Sequence, residues 1–530
     1  MRIFVNNVDS YVGKALCADL RRVLDQDMRL LGTVTDEALE ADVELMSSLG
    51  VKRLSYRADQ QKYMADVMSC SLIVFDLHSA SVHDVEQVIK QLKVSELEHN
   101  ITFVLISSVN VWAHTRKQYV PVRGDDEEEG EEEPAEDGED GVPRVVKKRP
   151  KELSDTDLDR RVPSPSYQDW KYLETLTLSL GSCKNLRPHV VGAGVLYGNG
   201  ETTFNELFQA AWLTQPIHNI IAPGDNYIPC VHVRDVARLV RVVACDDSVG
   251  HYLLAVDHSR LTQAAIVQGI VNQISHKRDV PIVSAGEVAG EFKEVMQLDL
   301  ILEPSAPLKA SSFDWWCRDG LVANLGKVAA EFCMWRNLRP IKMVVTGPPG
   351  SGAERLCALV ADRYLHEDPP LLTYEQILED ACQGTTRAAR KLRRKVQKLA
   401  SKPGGAKLPL QLRTKLVRTR LLSNICRYRG YVLEGYPTSY AEAEALFMEK
   451  VPEEGEEEQE APDADEAEEE EEGGAEEGED EEEEEEVPPP PEEEEEEEST
   501  RPKMRLAEQL VPEFHIVLQS SEALCKARIF

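Results

Sequence analysis

No apolar run in this chain approaches the roughly 18 residues needed to cross a bilayer, and no charged-then-apolar leader precedes the opening MRIFVNNVDSY. These absences predict a soluble chain without a membrane anchor. Cysteine is scattered, 11 residues with no C-x-x-C pair and no metal-ligand spacing. A reduced cytoplasmic setting without a structural metal is therefore expected. Lys and Arg are missing altogether from two stretches, Asp125–Asp140 with 12 acidic residues and Pro452–Thr500 with 31. Those tracts account for the formal charge of −35, because outside them 52 acidic residues face 60 basic ones. The folded remainder is mildly basic, and nothing points to nucleic acid as a partner.

What is present is an alternation of short β-branched runs with amphipathic stretches. Residues 2–5 (RIFV), 71–77, 101–108 and 189–197 read as buried strands, and 13–24, 81–97 and 167–180 carry helix-period apolar residues. Such alternation predicts an α/β fold, a doubly wound parallel sheet with helices on both faces. A second unit of the same kind begins after Trp315–Pro340, with strands at 341–347, 430–435 and 514–519 and a helix over 353–364. We therefore expect two tandem domains, 1–335 and 340–530. Each is interrupted by an acidic insertion, about 124–142 and 452–500, too polar to bury a core and expected to be disordered. The segment Lys391–Lys402 is the reverse, a basic helical stretch. It reads as a solvated helix face or as a docking surface for an acidic partner, the chain's own Glu tract included.

Residues 1–16 occupy the place of a dinucleotide-binding fingerprint, strand then turn then helix, but Asn7 and Ser10 stand at two of its glycine positions and only Gly13 remains. Further on, ISSVNVW (106–112) carries Ser108, and SYQDWKYLE (166–174) carries Tyr167 and Lys171 four residues apart. On one helical face an ammonium can lower a phenol's pKa and hold a ribose hydroxyl. With RPHVVGAGVLYGNGE (187–201) and IPCVHVRDVARLV (228–240), residues 1–280 resemble the extended short-chain dehydrogenase/reductase family, the NAD-dependent epimerases and dehydratases. The resemblance implies NAD(P) at Asn7, Ser10 and Gly13, and Ser108, Tyr167 and Lys171 as catalytic residues. Against turnover stand the side chains at 7 and 10 and the acidic tract between Ser108 and Tyr167, which would repel a dinucleotide's phosphates.

In VVTGPPGSGAERL (344–356) a strand runs through a Gly-rich turn into a helix. The backbone of Gly347, Pro348, Pro349, Gly350, Ser351 and Gly352 would form a phosphate cradle, with the N–H groups coming from the non-proline members. Yet Ala353 and Glu354 replace the Lys and Ser/Thr that reach the phosphates and Mg²⁺. RGYVLEGYPTSYAEAEALF (429–447) follows, and together the two stretches resemble the nucleoside monophosphate kinase family. By that resemblance Glu434, followed by Gly435, stands at the Mg²⁺-supporting Asp, Thr438 at an arginine that grips phosphates, and Glu442 at the Gln that reads the AMP base. The implied ligands are ATP and AMP with Mg²⁺, bound weakly, and the family's lid is expected to be missing.

The tandem of both units resembles the adenylate kinase isoenzyme 7 family. That resemblance implies the reaction ATP + AMP = 2 ADP and a place in motile cilia or flagella, with axonemal or microtubule-associated partners. The lost cationic positions imply weak catalysis or none. Two other readings follow from the residues: an epimerase or reductase in the first unit, or a non-catalytic axonemal interaction protein whose basic surface docks on acidic tubulin.

Overall fold

The computed structural model describes residues 1–23, 28–35, 48–121, 131–134, 145–213, 215, 220–275, 279–284, 286, 291–364, 371–384, 386–400, 408–450 and 504–529. The chain forms two compact units, Met1–Gln273 with Lys277–Asn337, and Leu338–Phe530 with the short segment Ile274–His276.

The first unit is built on seven parallel strands, β1 (Arg2–Val5), β2 (Arg29–Gly32), β3 (Val51–Leu54), β4 (Leu72–Asp76), β5 (Ile101–Ser108), β6 (Leu186–Ala193) and β7 (Tyr252–Ala255). Their spatial order is β7-β6-β5-β4-β1-β2-β3, so the direction of winding reverses beside β1. Alternate residues serve opposite cores. Ile3, Val5, Leu72, Val74, Val104 and Ile106 meet Val12, Leu16 and Leu20 of the helix Tyr11–Val23 and Val236, Leu239 and Val243 of the helix Val233–Cys245. Phe4, Ile73, Phe75, Phe103 and Leu105 turn the other way, onto Val85, Val88, Ile89 and Leu92 of the helix Val82–Val94. A period of two with both sets buried is what helices on both faces require. The fold class expected from the alternation is the one found.

Sequence periodicity missed β2, β3 and β7, each only four residues long. The expected strand over 189–197 is two strands, Leu186–Ala193 and Val195–Tyr197, broken at Gly194. A Cβ there would lie 2.9 Å from the backbone at Cys230. The acidic insertion at 124–142 is also not wholly irregular. Glu131–Pro134 pairs antiparallel with Val145–Pro150, with Glu131 in register with Lys148 and Glu132 with Lys147. The rest of that insertion, and the whole of 452–500, lie outside the described residues.

Among the carboxyls buried in the first unit, Glu174, Glu201 and Asp257 are each pushed up to about 7 by burial. Each binds a proton in the folded chain at a pH where the unfolded chain has released it. Their stabilisation is therefore complete below about pH 4 and lost as pH rises through about 7. The first unit should melt at a lower temperature at pH 8 than at pH 5. In Glu201→Gln that slope should be shallower by about one proton, measured by calorimetric melting across the pH range.

The second unit repeats the plan on four parallel strands, β8 (Ile341–Thr346), β9 (Leu371–Thr373), β10 (Gly430–Glu434) and β11 (Phe514–Val517), in the order β9-β10-β8-β11. Val344, Tyr431 and Leu433 pack on Val417 and Leu421 of the helix Leu410–Leu421. Val345 and Val432 pack on Cys357 of the helix Ala353–Tyr364. The basic stretch is helical over Arg387–Ala400, with Ala389 buried and its seven Lys and Arg residues exposed.

No described helix is long and apolar enough to cross a membrane. No group of three or more His, Cys, Asp or Glu among the described residues is placed to hold a metal ion.

Candidate functional site

In the first unit the turn after β1 lies at the C-terminal edge of the sheet, where doubly wound folds open a ligand crevice. Asn7 adopts a left-handed φ of 46°. Ser10 accepts the Gly13 N–H at 3.0 Å and so caps the first helix. A Cβ on Gly13 would stand 2.2 Å from the Asn7 carbonyl oxygen, so a glycine is needed for helix and turn to close on each other.

The Asn7 side chain is fully occupied inside the protein. Its Nδ2 donates to the Ser79 carbonyl at 2.7 Å, and its Oδ1 accepts from Thr33 Oγ1 at 3.2 Å and from the Arg57 guanidinium. Arg57 also donates to Thr33 Oγ1 and to the Val34 carbonyl, each at 2.9 Å. A turn that elsewhere offers bare N–H groups is here tied down by side chains.

Ser108 ends β5 and is buried; its Oγ accepts from the Asn110 backbone at 3.2 Å and from Asn110 Nδ2 at 3.0 Å. Tyr167 lies in a short 3-10 turn, Pro165–Tyr167, just before the helix Gln168–Leu178, with its ring edge-on to Trp170. Lys171 sits in the first turn of that helix, and its Nζ donates to the Arg161 carbonyl at 2.8 Å. The helix thus clamps the segment before it: Glu174 meets Arg161 Nε at 3.0 Å, and Thr175 Oγ1 accepts from Arg161 Nη2 at 3.2 Å.

In the second unit β8 runs into the Gly-rich turn. Gly350 and Gly352 take φ of 79° and 97°, and the Ser351 N–H closes on the Pro348 carbonyl at 3.0 Å. A Cβ on Gly350 would meet the Cys525 carbonyl oxygen at 2.6 Å, which fixes glycine there twice over. The turn keeps left-handed glycines at 350 and 352 and runs directly into the helix Ala353–Tyr364.

The charges around it are mostly of the wrong sign for a polyphosphate. Glu434, at the end of β10, has its carboxyl pushed up by burial and by the neighbouring negative charges of Glu354 and Glu375. Glu354 and Glu375 thus add negative charge in the neighbourhood of Glu434, and position 353 contributes a methyl group. A cation does stand close by. Arg528, on the helix Glu522–Ile529, donates from Nη1 to the carbonyls of Ser351 at 3.1 Å and Gly350 at 3.3 Å. Nothing in the local sequence flagged Arg528 or Glu375, because only the strand order brings them to the turn.

Thr438 and Glu442 are brought together, but with each other. Thr438 donates from its N–H at 2.8 Å and from Oγ1 at 2.7 Å to Glu442 Oε2. Glu442 Oε1 lies 2.5 Å from Arg413 Nη1, and the carboxylate is buried. Ser439 caps the same helix, Tyr440–Phe447, by accepting the Glu442 N–H. Tyr436 beside them stacks on Tyr374 at 5.8 Å between ring centres. Gly435, with a φ of 69°, supplies the turn out of β10.

No family model matches the chain. Over 416 residues, 72% of its length, it is 25% identical to adenylate kinase 7 of Mus musculus, covering 63% of that protein. Adenylate kinase 7 of Macaca fascicularis is 26% identical over 312 residues, 54% of this chain and 58% of its own. The chain spans about three fifths of the length of these curated relatives. An adenylate kinase of Fervidobacterium nodosum is 31% identical over 106 residues, 20% of this chain and 44% of its own. Among solved structures, dTDP-glucose 4,6-dehydratase of Bacillus anthracis in complex with NAD covers 63% of this chain and 98% of its own at 13% identity, with a TM-score of 0.45.

Proposed function

We propose that this member of the adenylate kinase 7 family holds a phosphate group weakly in its second unit without transferring it, and serves chiefly as a binding component. The observation that carries the reading is the pairing of an intact cradle, Gly347–Gly352, with a mouth that has lost its cation and gained Glu354 beside Glu375 and Glu434. The N–H cradle fits a phosphate group. The donor set does not fit Mg·ATP as a whole, since one unit charge 4 Å away is worth roughly 4 kcal/mol at an effective dielectric of 20. At the nucleoside monophosphate positions, Thr438 and Glu442 hold a helix start rather than offer themselves to a base.

Calorimetric titration with Mg·ATP tests this. The chain as it stands should bind at millimolar level or weaker, and Ala353→Lys with Glu354→Thr should tighten binding by about 10²-fold. Equal affinities before and after the exchange would remove the argument.

For the first unit the same reading is a retained fold without dinucleotide turnover. Asn7 and Arg57 fill the turn that a pyrophosphate would approach, and Lys171 spends its ammonium on a backbone carbonyl. An axonemal location with microtubule-associated partners is part of the proposal and rests on the family resemblance alone.

A further inference from the structure

At the other edge of the first unit's sheet, the N-terminal ends of β1, β2 and β3 surround a cavity of about 620 Å³. Its wall includes Arg2, Arg29, Lys52, Arg53, Asp66 and Ser69, so four cations face one carboxylate. That carboxylate is already engaged. Asp66 accepts from Ser55 Oγ at 2.7 Å and lies 3.1 Å from Arg53 Nη2. Among the described residues, no carboxylate pairs with Arg2, Arg29 or Lys52.

Arg2 and Arg29 are register partners in neighbouring parallel strands, roughly 4.8 Å apart, and like charges set opposite one another destabilise a sheet. A bound anion would offset that repulsion. The cavity falls within the roughly 300–1,000 Å³ typical of small-molecule sites, so it can take several anionic groups rather than one ion. Guanidinium forks match phosphate oxygens in pairs, and Lys52 adds a point charge.

We propose that this cavity binds a small polyphosphate anion, at a site separate from the glycine-rich turn of the second unit and from the crevice at the opposite edge of its own sheet. The proposal is independent of what that turn binds. The four side chains would act by charge and hydrogen bonding alone, with no covalent step.

The test is calorimetric titration of the full chain with inorganic tripolyphosphate, carried out on an Ala353→Glu background so that the second unit's turn contributes no binding. One saturable event should persist there and weaken as salt is raised. Adding Arg29→Gln with Lys52→Gln should weaken it by at least about tenfold, while Arg29→Lys, which keeps the charge, should cost less than the pair. Both changes are at exposed positions, and the melting temperature of the first unit should be unchanged or raised by the relief of repulsion. Absence of a saturable event on the Ala353→Glu background, or an event indifferent to the paired Gln exchange in a chain that melts normally, overturns the assignment.

Discussion

In a coupled assay of ATP + AMP ⇌ 2 ADP, this chain should turn over at least about 10³-fold more slowly than an ordinary adenylate kinase. Phosphoryl transfer is catalysed almost wholly by positioning and by cations around the developing charge, and one arginine is worth roughly 10³ to 10⁵ in rate. Here the positions that would supply cations have been put to other use. Residue 353 is Ala, Thr438 is hydrogen-bonded to Glu442, and Arg413 is paired with the same Glu442. Arg528 touches the turn through carbonyl oxygens, the groups on the far side of the peptide from the N–H donors of the cradle. Ala353→Lys with Thr438→Arg should recover part of the rate. Each exchange alone should recover little, because the two cations act on the same transferring group and their effects are not additive. Turnover by the unaltered chain near that of ordinary adenylate kinases would defeat the proposal at once.

How much of this was legible in the sequence differs between backbone and site. The central strands β4 and β5 were readable because each is a largely apolar buried run followed by a helix-period segment, and β6 through its small apolar stretch from Val190. The short strands β2 and β3 were not, since each has only four residues and VKRL, at the sheet edge, alternates poorly. At the Gly-rich turn, the expected strand, turn and helix are all found, and the helix Ala353–Tyr364 has the expected bounds. The charge balance of the mouth was only half visible. Glu354 could be read as an added anion from its place after Ala353, whereas Glu375 belongs to a helix that follows β9, and β9 reaches the turn only because it pairs with β10. Likewise the spacing of Tyr167 and Lys171 suggested a shared helical face, but Tyr167 precedes the α-helix in a 3-10 turn. Spacing is a statement about a regular helix, and it fails at a helix end.

The largest loss of stability expected from a single exchange is at Glu174. Arg161 and Glu174 meet at 3.0 Å with both side chains almost wholly buried, and the Arg161 guanidinium also lies 5.7 Å over the ring centre of Tyr252. Removing Glu174 leaves the buried Arg161 guanidinium without its hydrogen-bond acceptor, at a cost of about 3–5 kcal/mol. Glu174→Ala should therefore lower the stability of the first unit by about that amount in denaturant or thermal unfolding. Replacing both partners, Arg161→Met with Glu174→Leu, should cost far less than Glu174→Ala alone, because no charge is left stranded. The pH dependence adds a second readout. Burial raises the Glu174 carboxyl to about 7, outweighing the pull of Arg161, so what Glu174 contributes is full below about pH 4.5 and declines as pH rises through about 7. The variant lacks that group, and the gap between it and the parent should be wider at pH 5 than at pH 8. A gap that instead widened toward pH 8 would mean that the charged pair, not the protonated acid, is what the fold favours, and the assignment of a raised carboxyl at 174 would fall.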